Sequence, residues 1–209
     1  MKKLTKKILL AVLLTMSVFA VQAAAPIAEI QAILEKPKIL CGNFNQTKEL
    51  VGIKKPLLSQ GRFCIDANKG VLWRTITPFP NTLRLTRDEI SQIQGNQTTM
   101  RLDANQEPVV RMINSVLFSL LAGDFSQLDN IFILNGDIKN KHWQVRLKAH
   151  DASLAKVIGN ISLEGDKHVR KVIISEFNGD HTIITFSNIK SGNTVITADE
   201  EKLFEQNQS

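Results

Sequence analysis

The stretch LSQGRFCIDANKGVLWRTITPFPNTLRL, residues 58–85, decides the fold of this chain. Large apolar side chains occupy alternate positions on both sides of a polar turn, which is the pattern of two strands that share one apolar face. Phe63 and Ile65 precede the turn, and Val71 and Trp73 follow it. A sheet with such a face must cover it with apolar groups or use it to bind them.

The first residues of the chain predict export. Met1–Lys7 contains four lysines and no acidic residue, and Ile8–Val21 is apolar. Val21-Gln22-Ala23 offers small residues at the positions that a signal peptidase reads, so residues 1–23 are expected to leave after Ala23. The alternative is an uncleaved membrane anchor, but the apolar run is shorter than the about 20 residues that a bilayer core requires. Residue 24 is not a cysteine, so no lipid anchor is expected.

The charge of the mature chain argues against a nucleic-acid partner. The whole chain has 26 Lys and Arg residues against 20 Asp and Glu residues. Four of the lysines belong to the predicted signal peptide, which leaves 22 basic residues against 20 acidic ones. Nucleic-acid-binding domains usually concentrate basic groups into one footprint. The pairs Lys54-Lys55 and Arg170-Lys171 are too short for that and are interpreted as solvated turn or strand positions.

A first hairpin is predicted just upstream of the opening stretch. Leu40–Thr47 can pair with Ser59–Ile65 in the register that places Cys41 opposite Cys64. The favoured interpretation is a disulfide, worth about 2–4 kcal/mol in an exported protein. The alternative is two free buried thiols, because a slip of one residue would separate the cysteine faces. The four histidines lack zinc-ligand spacing, so no metal is expected.

Residues 24–209 are long enough for one domain with a substantial core. An amphipathic helix is predicted over Ile27–Leu34, and a broader apolar helix is predicted to begin at Pro108 and to end at Gly123. A helical turn is predicted at Ser153–Ile158, and the polar end Asp199–Ser209 is expected to fray. The predicted strands are Leu40–Thr47, Ser59–Ile65, Gly70–Thr77, Leu83–Leu85, Glu89–Gln94, Thr99–Leu102, Phe132–Leu134, His142–Leu147, Ile161–Leu163, Val169–Phe177 and Thr182–Asn188.

Three glycine-containing segments predict successive hairpin turns. They are Asn135-Gly136-Asp137, Glu164-Gly165-Asp166 and Asn178-Gly179-Asp180. Successive hairpins imply an antiparallel sheet. The predicted fold is therefore mainly β, a strongly curved antiparallel sheet with two apolar helices against its concave side.

Short motifs of apolar and glycine residues recur along the mature chain. They are Phe44-Asn45-Gln46, Gly61-Arg62-Phe63, Gly70-Val71-Leu72-Trp73, Thr77-Pro78-Phe79, and the alternating stretches Ile161-x-Leu163-x-Gly165-Asp166, Val172-x-Ile174-x-Glu176 and Gly179-Asp180-x-Thr182-x-Ile184-x-Phe186. Together they resemble the LolA family of periplasmic outer-membrane lipoprotein carriers, and more closely its divergent LolA-like branch.

The resemblance implies an incomplete β-barrel, lidded by helices, whose apolar cavity holds the acyl chains of a lipoprotein in the periplasm. It also implies an ATP-driven exporter in the inner membrane as the source of cargo and an anchored receptor at the outer membrane as its destination. The carrier is expected to be a monomer without a cofactor. The alternative is a LolA-like carrier or scaffold for another envelope lipid, a glycolipid or a polyene lipid.

A set of apolar residues is predicted to line that cavity. The sheet would supply Phe44, Phe63, Ile65, Val71 and Trp73, and the Pro108 helix would supply Met112, Val116, Leu117 and Leu120. The alternative for each residue is a plain core position. Val71 matches a place where the family engages partners and cargo, so Val71→Glu is expected to impair transfer while leaving folding largely intact.

One departure from the family concerns a polar latch. The arginine-proline pair that LolA carries before its Trp-like strand aligns here with Ala67-Asn68, so the arginine's bond to the helical lid cannot be carried over. Lys69 and Arg62 are the candidate substitutes.

No catalytic function is expected. The chain contains no Gly-x-Ser-x-Gly elbow, no His-Glu-x-x-His helix and no phosphate-binding loop. Ser59, Asp66 and His142 could be assembled into a triad only if the fold brought them together, and exposed turn positions explain them better.

Overall fold

Eleven strands form one antiparallel sheet in the computed structural model of the protein. The structure describes residues 24–95, 97–103, 105–106, 116, 118–119, 125 and 128–205. In chain order the strands are β1 Ile39–Glu49, β2 Leu57–Asp66, β3 Gly70–Thr77, β4 Asn81–Leu85, β5 Glu89–Gln94, β6 Gln97–Asp103, β7 Phe132–Lys139, β8 His142–Ala149, β9 Asn160–Gly165, β10 Val169–Ser175 and β11 His181–Ser191.

The order of the strands shows how two meanders join. Across the sheet the order is β6-β5-β4-β3-β2-β1-β11-β10-β9-β8-β7. Every pair in this order is adjacent in the chain except β1 and β11. Their pairing unites the first meander, β1 to β6, with the second meander, β7 to β11. The edge strands β6 and β7 do not pair with each other, so the sheet does not close into a barrel. The predicted mainly-β fold with an incomplete barrel is confirmed.

Helices occupy little of the described chain. They are α1 Ala24–Ile33, α2 Ala152–Ile158 and α3 Ala198–Glu205, with 3-10 turns at Leu128–Asn130 and Asn193–Val195. Val116, Phe118 and Ser119 are helical, but most of the predicted Pro108 helix lies outside the described residues, as does the predicted signal peptide. Among the helices that the structure describes, none has the length and apolarity needed to cross a membrane.

The register of the first hairpin is the predicted one. Cys41 pairs with Cys64, and Phe44 pairs with Gly61. The two sulfur atoms are bonded to each other. Both cysteines are 1% exposed, so the bond is shielded from solvent.

The two faces of the sheet carry separate cores. We call the face with Phe44, Phe63 and Val71 the inner face, and its side chains belong to the large buried cluster. We call the opposite face, which carries the disulfide and Leu72, the outer face. Because side chains alternate along a strand, one set of strands serves both cores.

Rows of apolar side chains cross the inner face from strand to strand. One row is Leu40, Ile65, Val71, Leu85 and Ile90, through β1 to β5. Another is Val145, Leu163, Val172 and Ile184, through β8 to β11. Burying one large aliphatic side chain contributes about 1.5–3 kcal/mol. The inner face is therefore a principal source of the stability of the sheet.

The predicted turn at Asn135-Gly136-Asp137 is wrong. β7 continues through these residues, and the turn to β8 lies at Asn140 and Lys141, which both have positive φ. Two positive-φ residues make the hairpin turn that matches strand twist. Gly136 is needed for packing and not for a turn. A Cβ at this position would lie 2.8 Å from Cδ1 of Ile27, so its absence lets α1 approach the sheet.

The predicted fraying of Asp199–Ser209 is wrong for the part of it that the structure describes. The helix α3 covers the outer face, and Phe204 is 1% exposed. Phe204 packs against Leu72 and the disulfide. The polar composition of the segment concealed the apolar side chain that packs the helix against the sheet.

Loss of the disulfide is expected to destabilise the protein by about 2–4 kcal/mol, because the bond restricts the unfolded chain between residues 41 and 64. In urea unfolding, Cys41→Ala/Cys64→Ala should have a lower midpoint than the oxidised parent protein. A thiol reductant should lower the midpoint of the parent and leave that of the double variant unchanged. Equal midpoints in all samples would show that the bond adds no stability.

Candidate functional site: the aromatic inner face and the carboxy-terminal clasp

Four aromatic side chains from four adjacent strands meet on the inner face. Phe44 of β1 stacks on Trp73 of β3, with ring centroids 3.8 Å apart. Phe63 of β2 meets Phe186 of β11 edge to face at 5.1 Å, and the Phe186 ring is perpendicular to that of Trp73 at 6.1 Å. We call these four side chains the aromatic cluster. Each such pair is worth about 0.5–1.5 kcal/mol beyond the area buried, so the cluster has a preferred geometry.

Gly61 makes the stacking of Phe44 on Trp73 possible. It lies on β2, between the strands of the two rings, and pairs with Phe44. A Cβ at this position would lie 2.8 Å from two carbon atoms of the Phe44 ring. Any larger residue would therefore displace Phe44 from Trp73.

The predicted lining residues of the sheet lie together on the inner face. Four of them are 3% exposed or less: Phe44, Phe63, Ile65 and Val71. Trp73 is only partly buried. Of the predicted lining residues on the helix, Val116 is buried in the same cluster, and three lie outside the described residues: Met112, Leu117 and Leu120.

The burial of Val71 changes one expectation. Its side chain has an exposed fraction of 0%. Val71→Glu would therefore place a carboxylate without a partner in an apolar core, which strongly destabilises a fold. The partly buried Trp73 is a better position at which to probe a ligand.

Phe186 completes the aromatic cluster but was not among the predicted lining residues. The signal was present in the alternation of Thr182, Ile184 and Phe186. All three are inner-face positions, since Phe186 pairs with Phe44 and Ile184 with Val172. Sequence alone could not join them to the first meander, because the β1–β11 pairing links residues about 140 positions apart.

A buried carboxylate holds α3 against the outer face. Glu200 has no exposed surface, and its Oε1 accepts a hydrogen bond of 2.6 Å from Nε of Arg62. Nη1 of Arg74 lies 3.6 Å from the same oxygen. Oε2 accepts a hydrogen bond of 2.9 Å from the backbone N–H of Thr197. We call the contacts of Glu200 with Arg62 and Arg74 the carboxy-terminal clasp.

The environment of Glu200 favours its charged form. Burial raises the pKa of the carboxyl, but the hydrogen bonds from Arg62 and from the Thr197 backbone outweigh burial and hold the pKa below its usual value. A carboxyl whose pKa is lower in the folded state adds stability above its unfolded pKa. That stability is lost as the pH falls through the folded pKa. The clasp is therefore expected to weaken in acid.

Both candidate substitutes for the family's arginine latch bind α3. Arg62 belongs to the clasp, and Nζ of Lys69 pairs with Glu201 and, at 3.4 Å, with Glu205. The hydrogen bond to Glu201 outweighs the opposing effect of burial and raises the pKa of Lys69. Within the described residues, these two side chains secure the outer face and supply no latch across the inner face.

The clasp also contains a helix-start signal that the sequence displayed. Thr197-Ala198-Asp199-Glu200 has the form of a capping box. The backbone N–H of Glu200 donates to Oγ1 of Thr197 at 3.2 Å, while the Glu200 side chain accepts from the Thr197 backbone. This reciprocal pair was the signal from which α3 could have been predicted.

A polar depression of about 710 Å³ lies on the outer face of the second meander. Four of its charged side chains form two ion pairs: Arg170 with Asp166 at 3.0 Å and Lys171 with Glu164 at 3.8 Å. Among the described residues, none of the predicted cavity-lining side chains borders this depression, whereas the sheet members of that set lie together on the inner face. The inner face is therefore the better candidate for the functional site.

The three residues considered for a catalytic triad, all within the described part of the chain, do not lie together. Ser59 and Asp66 lie roughly 23 Å apart along β2 at 3.3 Å per residue, and His142 begins β8, several strands away. Among the residues that the structure describes, the sulfurs of Cys41 and Cys64 lie close to a Glu200 oxygen. The sulfurs are bonded to each other, so they offer no thiolate to a metal ion.

Comparison with known proteins gives one family. Residues 20–198 match the family model described as outer membrane lipoprotein carrier protein LolA-like. No curated protein sequence matches the chain.

Solved structures with a similar fold share little sequence with this chain. A LolA superfamily protein from Nitrosomonas europaea is 11% identical, over 86% of this chain and 99% of that one, with a TM-score of 0.46. A Vibrio parahaemolyticus domain described as an outer membrane lipoprotein-sorting protein is 9% identical, over 88% and 100%, with a TM-score of 0.46. MucB is 12% identical, over 87% of this chain and 62% of MucB, with a TM-score of 0.48.

Glu200→Gln is expected to destabilise the protein by about 3 kcal/mol, because it leaves Arg62 without its charged partner. The matched control is Glu201→Gln, whose carboxylate is exposed and which should cost less than about 1 kcal/mol. The free energy of unfolding of the parent, measured in urea, should fall as the pH drops below about 4.3, which is the ordinary pKa of a glutamate side chain. The Glu200→Gln variant should lose less over the same interval. Equal acid sensitivity in the parent and this variant would count against the clasp.

Proposed function

The chain belongs to the LolA-like family of outer membrane lipoprotein carrier proteins, and from that premise we propose that it is a periplasmic carrier. It shields the acyl chains of lipoproteins against the inner face of the sheet and carries them from the inner to the outer membrane. The proposed binding surface consists of the predicted sheet residues and Phe186: Phe44, Phe63, Ile65, Val71, Trp73 and Phe186.

One observation carries this proposal: a partly buried Trp73 lies within an aromatic cluster on an apolar face of a sheet that stays open. A closed eight-stranded barrel has room inside only for its side chains or for one small ligand. An open sheet of eleven strands is not limited in this way. Trp73, stacked on Phe44 by virtue of Gly61, then offers a flat apolar surface to a flexible ligand.

Transfer of acyl chains sets a physical requirement that such a face can meet. Exposing an acyl chain to water costs about 0.8 kcal/mol per methylene, so a carrier must cover many methylenes at once. It must also release them, so the covering cannot be rigid. If the empty cavity can close, closure competes with binding. The apparent affinity for the acyl chain then falls in proportion to the fraction of molecules that are open.

The clasp supports the same function from the opposite side of the sheet. It ties α3 to β2 and β3, which are the strands that carry Phe63 and Trp73. A wall held from outside keeps its shape when the inner face is empty. The disulfide adds a covalent link between β1 and β2 at the same place.

The proposal includes a location and partners. Residues 1–23 act as the signal peptide, and residues 24–209 form the carrier domain in the periplasm. The carrier works as a monomer between an ATP-driven exporter of the inner membrane and an anchored receptor at the outer membrane. It catalyses no reaction and needs no cofactor.

Fluorescence of Trp73 is expected to report ligand entry. The chain has two tryptophans, and Trp143 is buried against Phe125, with its indole N–H bonded to the Asp166 carbonyl. In Trp143→Phe, which leaves Trp73 as the sole tryptophan, a fatty acid with a brominated chain should quench the emission in a saturable manner.

The matched variant is Trp73→Phe, in which Trp143 is the sole tryptophan. Its emission should change little, because Trp143 is 2% exposed. If a radiolabelled fatty acid binds the first variant while its emission stays constant, Trp73 does not face the ligand. If no acyl ligand binds either variant or the parent, the carrier proposal fails.

Native mass spectrometry of protein purified from a periplasm should identify the cargo. A diacyl or triacyl lipoprotein is expected as an adduct, and the mass of the polypeptide should correspond to a chain that begins at residue 24. A co-purified glycolipid or polyene lipid would assign the protein to the transport of another envelope lipid.

A further inference from the structure

One end of the sheet exposes seven large apolar side chains, all on or beside three turns. The β1–β2 connection carries Val51 and Ile53, and Leu57 and Leu58 follow it at the start of β2. Ile76 lies near the end of β3, and Phe79 lies in the β3–β4 turn. Phe177 lies in the β10–β11 turn. Their exposed fractions run from 56% to 78%, with both phenylalanines at 78%. Single exposed apolar residues are ordinary, but a set on neighbouring turns is not.

Strand order brings the three turns to the same end of the sheet. Lys48 at the end of β1 pairs with Leu57 at the start of β2, and Gln60 of β2 pairs with Thr77 at the end of β3. On the other side, β1 ends beside the start of β11, which pairs with the end of β10. The turns therefore lie side by side across six adjacent strands, β4-β3-β2-β1-β11-β10. We call these seven side chains the apolar rim.

Charges on the rim are unevenly distributed. Within residues 50–58 there are two lysines and no acidic residue. Both lysines, Lys54 and Lys55, are exposed, and neither has an ion-pair partner in the described part of the chain.

The acidic residues of the neighbouring turn are engaged locally. Glu176 pairs with Lys48 at 3.3 Å, and Oδ1 of Asp180 accepts a hydrogen bond of 2.8 Å from the backbone of Val51. Glu49 lies within the β1–β11 ladder, at the base of the turn and not at its tip. The tips thus present apolar side chains and free positive charge.

We propose that the apolar rim is a docking surface for the interface of an anionic lipid bilayer. Phe79 and Phe177 enter the boundary between headgroups and acyl chains, together with the aliphatic side chains of the β1–β2 connection. Lys54 and Lys55 remain at the level of the anionic headgroups, because lysine keeps its charge in water while its stem lies along apolar surface. The rim thereby brings the sheet end to the membrane surface.

The arrangement fits a bilayer better than a folded partner. A protein interface usually has a buried apolar core surrounded by a polar edge. Here the apolar residues lie at the projecting tips of separate turns, and the unpaired lysines lie among them. A fluid surface can receive several projecting side chains at once, and it supplies the negative charge that the lysines lack.

The docking surface is distinct from the proposed cargo site. It consists of residues on three turns and at the strand ends beside them, whereas the cargo site is the aromatic cluster with Ile65 and Val71 on the inner face. Leu57 is an inner-face position of β2, like Phe63, so the two surfaces share one strand. Docking would place the inner face next to the membrane that releases or receives an acyl chain. Docking itself requires no cargo.

Co-flotation with vesicles tests this proposal on the purified, cargo-free protein. It should float with vesicles of phosphatidylethanolamine and phosphatidylglycerol and much less with vesicles of phosphatidylcholine alone. Phe79→Ser/Phe177→Ser should weaken binding to the anionic vesicles by about a hundredfold, at about tenfold for each side chain. Lys54→Gln/Lys55→Gln should weaken it about fivefold per lysine and should leave binding to phosphatidylcholine unchanged.

The matched control is Ile133→Ser on edge strand β7, where the isoleucine is 46% exposed and is separated from the nearest of the three turns by strands β8 and β9. It should bind like the parent. All variants change exposed side chains, so their unfolding midpoints should equal that of the parent, and their acyl-ligand binding at Trp73 should be retained. Retained ligand binding separates failure of this proposal from failure of the carrier function.

Two results would overturn the proposal. In the first, the parent does not float with vesicles, or the rim variants float as strongly as the parent does. In the second, the parent binds no vesicles and sediments as a dimer, whereas Phe79→Ser/Phe177→Ser sediments as a monomer. That second result would assign the rim to contact with another copy of the chain.

Discussion

The pairing of β1 with both β2 and β11 is the constraint on which the rest of the structure depends. β1 is the strand at which two meanders meet, so the hydrogen bonds along its two edges turn two small sheets into one. Its register on each side then places Phe44 beside Gly61 and beside Phe186. A slip of one residue on either edge would exchange the two faces of that strand. The aromatic cluster, the disulfide and the relative position of the turns all follow from this one alignment.

The two faces of the sheet are stabilised by different kinds of contact. The outer face over β2 and β3 is closed by a disulfide, by Phe204 and by a buried carboxylate shared between two arginines. A buried ion pair is a specific contact more than a strong one, because desolvation offsets much of the attraction. Its value here is that it sets the position of α3. The inner face carries apolar rows and a partly buried tryptophan, and it is the face that we propose for an acyl ligand.

Much of the sheet could be predicted from local patterns. Period-2 alternation identified the strands, and the hairpin register followed from the spacing of Cys41 and Cys64. Two local signals were misinterpreted. Asn135-Gly136-Asp137 has the composition of a turn, but its glycine serves the close approach of α1. The end of the chain appears polar, but Thr197 and Glu200 form a capping box that starts a helix. The contact that explains Gly136 comes from a distant element, which local composition does not report, whereas the capping box is a local signal.

The sequence by itself determined the apolar and polar faces of the strands, the first hairpin and the family to which the chain belongs. Each of these depends on residues that are close in sequence or on a pattern spread along the whole chain. Only the tertiary structure decided that Phe186 joins Phe44, that Arg62 and Lys69 bind α3, and that three separate turns form one apolar rim. The contacts of Phe186, Arg62 and Lys69 join residues more than 100 positions apart, and the grouping of the three turns depends on the order of the strands across the sheet. Strand order is a property of the whole hydrogen-bonded sheet, and no single segment contains it.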